Sequence, residues 1–268
     1  MNMPNNISLD TPPRVALDTI ASLREKKGKE KEVLALIQGA IESGNSYVIQ
    51  LFWEEFIVHQ HLVMTERAKP EEERDEKKIR KALLNMERVV KEAQYYIKKY
   101  KLEHWKHRLY RFLGRFYDYK GLFKKAASNY KKAIPLARQD PEVKEKGYPR
   151  WIEVKGFLSY SFIMSGDTRK GMLLAKEAYG DLDSGRDGKY LKNKDYFTWA
   201  VWLSGIPIRT INALIDKSQT FDRRQMLSWL SRAEQALVIP KGVKTWGDKS
   251  FQFRKDEIAA LRRRIKAN

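Results

Sequence analysis

Within residues 105–134, WKHRLYRFLGRFYDYKGLFKKAASNYKKAI, apolar and small residues recur with the spacing of two packed helices, and this restricts the fold more than any other stretch. Tyr110, Leu113, Gly114 and Tyr117 stand at i, i+3, i+4 and i+7, one stripe of a helix, with Gly114 leaving room for a large side chain on its neighbour. Lys120 and Gly121 break the stripe. Phe123, Ala126, Tyr130 and Ala133 form a second one, so small residues face large ones across an antiparallel pair.

At these residues the chain resembles the tetratricopeptide repeat (TPR), a helical pair of about 34 residues with the pattern W-x2-L-G-x2-Y, then A-x3-F, then Pro. Tyr110 takes the Trp place, Leu113, Gly114 and Tyr117 match, and Ala126 with Tyr130 serves as the A-x3-F pair. Ala133 matches a further small position, and Arg138 stands where the family has Pro. A looser copy covers 151–180, with Leu158, Phe162, Gly166, Gly171 and Ala178 in the patterned places and Ser159 and Ala175 replacing the expected Gly and aromatic residue. The resemblance implies an all-α chain, a TPR-like right-handed α-solenoid of antiparallel helix pairs. A final helix over 251–266, with Ile258, Leu261 and Ile265 on one face, is expected to cap it.

The domain organisation expected from this is an N-terminal arm over 1–29 containing a short helix, a repeat domain over 30–240 with its best repeats at 105–138 and 151–180, and a basic capping segment over 241–268. Residues 1–14 are polar with three prolines and read as a mobile arm. Helices are expected at 30–43 and 46–66, meeting at Gly44 and Asn45. Pro70 followed by Glu71, Glu72 and Glu73 reads as the start of a long helix reaching Tyr100. A polar connection, RQDPEVKEKGYPR, follows the central repeat. Pro207 is expected to kink or restart the helix that carries Trp199 and Trp202, and residues 222–238 supply that helix's partner.

Cysteine is absent, which removes disulfides and thiolate chemistry. The most apolar stretch, YVIQLFWEEFIVHQHLVM, carries Glu54, Glu55, His59 and His61, which argues for a buried helix and against a membrane span. With no basic-then-apolar leader at the start, the expected location is the cytoplasm.

The formal net charge of +19 favours acidic partners. From Lys98 to Arg138 there are thirteen Lys or Arg against Glu103 and Asp118. Arg108, Arg111 and Arg115 recur at three and four residues and share one helix face. In the TPR family that face lines the concave groove that grips partner peptides, so the resemblance implies a basic groove lined by Arg108, Arg111, Arg115 and Tyr119. The second repeat would add Tyr160, with Glu153 and Gly156, to the same face. Guanidinium forks one turn apart can follow an extended acidic chain through paired hydrogen bonds. The Lys and Asn clamp of chaperone-binding relatives is missing, so chaperone tails are not implied as ligands. The function expected is a non-catalytic protein–protein interaction adaptor for an acidic or extended protein segment. The alternative is a nucleic-acid-binding helical-repeat protein, suggested by the overall charge and by Arg262, Arg263 and Arg264.

Catalytic, cofactor and metal sites are not expected. His59 and His61 diverge on a helix, and His104 and His107 lack an adjacent carboxylate or thiolate. GDTRKGM has two glycines at phosphate-loop separation without the Lys and Ser or Thr that reach phosphate and magnesium.

Overall fold

Aspartates start several of the helices and glycines end several, and together they set some of the element boundaries. A computed structural model describes residues 13–140, 148–219 and 222–267. Among these, all regular structure is helical. The α-helices are α1 (Pro13–Arg24), α2 (Glu30–Glu42), α3 (Val48–Arg67), α4 (Glu76–Lys99), α5 (Lys106–Tyr119), α6 (Phe123–Gln139), α7 (Arg150–Met164), α8 (Thr168–Asp183), α9 (Arg186–Lys194), α10 (Tyr196–Asp216), α11 (Arg223–Ala236) and α12 (Gln252–Ala267). Much of the expected arm, and most of the expected polar connection after α6, lie outside the described residues.

Asp75, Asp167, Asp195 and Asp222 cap α4, α8, α10 and α11 by accepting from backbone N–H groups in the first turn, each contributing roughly 1 kcal/mol. Asp75 also explains why the fourth helix starts later than the Pro70 signal suggests: Glu71–Glu73 form a single 3-10 turn, and the capped α-helix follows. Gly121 and Gly166 close α5 and α7 in the left-handed region, with φ of 73° and 100°. That turn lets Leu122 N–H reach Tyr117 O at 2.9 Å and Asp167 N–H reach Phe162 O at 2.9 Å, which satisfies carbonyls the helices leave open. Pro207 does not restart α10, which runs through it. Leu203, Ile206, Ile208 and Ile211 are all buried around it, and that burial outweighs the one backbone hydrogen bond that proline removes.

The chain divides into two compact units, Met1–Leu102 with Trp246–Asp248, and Glu103–Thr245 with Lys249–Asn268. In the first, α1 packs on α2 and α3, and α3 packs on α4. Leu17, Ile20 and Leu23 of α1 are buried with Val33, Ile37, Leu51 and Val58. The paired acids of α3 are ion-pair partners: Glu54 binds Arg24, and Glu55 binds Arg88 and faces His59 Nε2 at 3.6 Å.

In the second unit α5 packs on α6, α6 on α7, and α7 on α8, while α10 lies against α7 and α8 and carries α11 and α12. A Cβ at Gly114 would fall inside the Tyr130 ring, so glycine is what allows α5 and α6 to approach. In the next pair the close approach sits on the other helix: a Cβ at Gly171 of α8 would meet the Ser159 carbonyl of α7 at 2.7 Å. The core beyond is aromatic, with Tyr179 stacked on Trp229 at 4.7 Å and Phe197 on Phe251 at 4.9 Å. Among the described residues no helix is long and apolar enough to cross a membrane.

Candidate functional site: a cationic cluster around Phe157

The arginine face of α5 turns toward α7 and α10. Leu109, Phe112, Gly114, Arg115, Phe116 and Asp118 are buried, whereas Tyr110, Leu113 and Tyr117 are only partly so. The helix is therefore covered on more sides than a single apolar stripe requires. Phe157 of α7, itself buried, is the centre of what forms there. The guanidinium carbons of Arg111, Arg115 and Arg209 lie 5.4, 4.4 and 4.3 Å from its ring centroid, and Tyr130 stacks on it at 5.7 Å.

The expected site residues take different positions. Arg111 forms a two-pronged ion pair with Glu153, its Nε and Nη2 donating at 2.8 and 2.6 Å. Arg115 is buried, donates to the Tyr119 hydroxyl at 2.8 Å and lies 3.8 Å from Asp118. Tyr119 is thus joined to the cluster through its oxygen. Tyr160 is half-buried with its ring edge-on to Phe123 at 5.9 Å. Arg108 is half-buried, with its guanidinium over the Trp105 ring at 4.7 Å. Arg111, Arg115, Tyr119 and Glu153 are brought into one network, Tyr160 is close enough to act on the charge of Arg115, and Arg108 stacks on Trp105.

Asp118 anchors the buried side of this network. Tyr130 Oη donates to one carboxylate oxygen at 2.7 Å and Ser161 Oγ to the other at 2.6 Å. Burial pushes the Asp118 carboxyl up to about 6, against the opposing pull of Arg115 and the two hydroxyl donors. Burial beside Asp118 also carries the Tyr130 phenol well above its usual range.

The sequence reading passed over Arg209, which the structure places at the heart of the cluster. It lies in YFTWAVWLSGIPIRTINALID, where it is the one basic residue of a long apolar helix. A lone charge in such a setting usually has a dedicated partner, and that was the available signal. Gly205 makes room for it, and Gly156 of α7 makes room for Ile206, where a Cβ would stand 2.9 Å from Cγ1. A Cβ on Gly205 would stand 2.7 Å from Arg209 Nη1, whereas one on Gly156 would be in ordinary contact with Nη2 at 3.5 Å. Burial, with Arg115 and Arg254 nearby, pushes the Arg209 pKa down to about 9 against the opposing charges of Glu153 and Glu257, so the group stays charged at neutral pH in a setting that penalises the charge.

The histidines are engaged locally. His107 is buried, with Nδ1 2.8 Å from His104 O and Nε2 3.0 Å from Asp140 Oδ2. Burial, followed by the charge of Arg108, lowers its pKa to about 4. Among the described residues no three His, Asp or Glu side chains converge to hold a metal ion. Of the basic C-terminal residues, Arg262 holds Glu234 through two hydrogen bonds at 2.8 and 2.5 Å, and Arg264 binds Asp216 at 2.5 Å.

The chain matches no family model, and it is similar to no curated protein and no solved structure.

Proposed function

We propose that this protein is a non-catalytic interaction scaffold that holds an acidic protein segment against the face formed by α5, α7 and α10. The observation that carries this reading is the gathering of cation on that face: Arg111, Arg115 and Arg209 meet at one phenyl ring, with Glu153 paired to Arg111 and Asp118 near Arg115. The TPR-like reading of the sequence supports it, with α5–α6 and α7–α8 as successive repeats and α5, α7 and α10 as the helices of the groove. Aromatic surface at Tyr119 and Tyr160 would accompany the charge, a combination suited to a peptide backbone with acidic side chains.

A second reading, nucleic-acid binding, draws on α6. Lys124, Lys125, Lys131, Lys132 and Arg138 are all exposed on a helix without an acidic residue. Arg262 and Arg264 support it less, because both already hold acidic partners within the chain.

Affinity capture from the source cell with and without nuclease separates the two. The scaffold reading expects a protein that stays bound after nuclease, is released by polyglutamate, and is lost with Arg108→Glu, a charge reversal beside the cluster. Loss of every protein after nuclease, with nucleic acid enriched before it, would replace that reading with the second.

A further inference from the structure

A partly buried cation normally has an acceptor or a counter-ion, because removing charge from water without either is strongly unfavourable. Among the described residues Arg209 has no hydrogen-bonded acid: its Nε is buried without a hydrogen-bond partner, its guanidinium lies 4.3 Å from the Phe157 ring centroid, and Glu153, Glu257 and Asp118 reach it through charge at longer range. The acids around it are already engaged. Both oxygens of Glu153 accept from Arg111, Glu257 accepts from Arg254 at 2.5 Å, and Asp118 takes Tyr130 and Ser161. Yet the backbone leaves the guanidinium room, since a Cβ on Gly205 would stand 2.7 Å from Arg209 Nη1.

We infer that Arg209 is the principal group of an oxyanion-binding site, which takes a carboxylate or phosphoryl group carried by the bound protein segment. Three features select that chemistry. The guanidinium is planar and presents paired N–H donors, which match two oxygens of one acid group. The unmatched charge calls for an anion, whereas water would answer only the hydrogen bonds. Arg115, 4.4 Å from the same ring, adds positive potential to the same place. As a subsite for a partner, this inference rests on the scaffold reading. As an anion site, it stands on Arg209 alone.

The test uses the full chain, with inorganic phosphate, acetate and a triglutamate peptide as probes against chloride at matched ionic strength. The wild-type protein is expected to show a rise in Tm with each oxyanion that grows with the logarithm of its concentration above Kd. At a concentration ten times Kd the folding equilibrium should increase about elevenfold. Arg209→Met, which relieves an unpaired charge and fits an apolar helix, should fold and lose the response. Arg209→Lys keeps the charge without the fork and should respond more weakly. An equal response in Arg209→Met and wild type, or none in wild type, overturns the site; a full response in Arg209→Lys overturns the fork as the recognition element. Partner capture reads the source of the oxyanion. Capture that phosphate displaces supports a group on the partner. Capture that survives saturating phosphate removes the subsite and leaves the scaffold standing. Phosphate binding without any captured protein makes the ligand a free anion and removes the scaffold.

Discussion

Gly114→Ala is a one-carbon change with a calculable sign. The added Cβ would occupy the Tyr130 ring, and that ring is fully buried with its hydroxyl bonded to Asp118 at 2.7 Å. Either the helices separate or the ring moves and lengthens the bond to the carboxylate. Overpacking of this kind costs about 1–3 kcal/mol, and a weakened hydrogen bond to a charged group up to about 1.5–3 kcal/mol. Against this, alanine is favoured over glycine inside a helix by about 1 kcal/mol. The net expectation is a loss of roughly 1.5–5 kcal/mol. Equilibrium urea unfolding followed by circular dichroism measures it. The stronger test is the same substitution in a Tyr130→Leu background, where the ring is gone and only helix propensity remains. There Gly114→Ala should stabilise by up to about 1 kcal/mol, relative to Tyr130→Leu alone. A neutral or stabilising effect in the wild-type background, or the same loss in both, would refute the account of how α5 and α6 approach.

The remaining expectations concern charge. Asp118 is raised to about 6 from an ordinary 3.8, so between those values the native state holds more protons than the unfolded one, and this residue makes stability fall as pH rises through the window. His107, lowered to about 4 from 6.5, acts the other way: the unfolded state binds the extra proton, so its contribution is complete above pH 6.5 and is lost as pH falls to 4. Asp118→Asn should therefore steepen the rise of stability with pH, by about 3 kcal/mol relative to wild type between pH 3.5 and 7, measured by urea melts at stepped pH; parallel wild-type and variant profiles would exclude a raised Asp118. Glu153→Gln takes away the counter-ion of Arg111, costs stability, and leaves a second unmatched cation at the cluster. For a charge about 10 Å from the bound anion and an effective dielectric near 20, phosphate affinity should increase about tenfold by calorimetry. Unchanged or weaker affinity would separate Glu153 from the field at Arg209.

Local pattern carried the helices because their causes are local. The 3.6-residue period, the aspartates at helix starts and the glycines at helix ends are all readable within one turn, and the Gly114 and Tyr130 stripes place the α5–α6 contact before any coordinates. The start of α4 was misplaced for a local reason too, since Pro70 and Asp75 compete as start signals and the side-chain cap prevails. The arginines of α5 were legible as a face, but not as a set of partnerships. Arg111 finds its acid 42 residues on, at Glu153, and Asp118 finds Ser161 43 residues on. Arg209 gains its meaning from an aromatic ring on another helix and from the lack of an acceptor for its Nε, neither of which is encoded next to it. Secondary structure follows from bonds a few residues apart. Which charge meets which, and which is left unanswered, depends on helices packing side by side, and that only the tertiary structure decides.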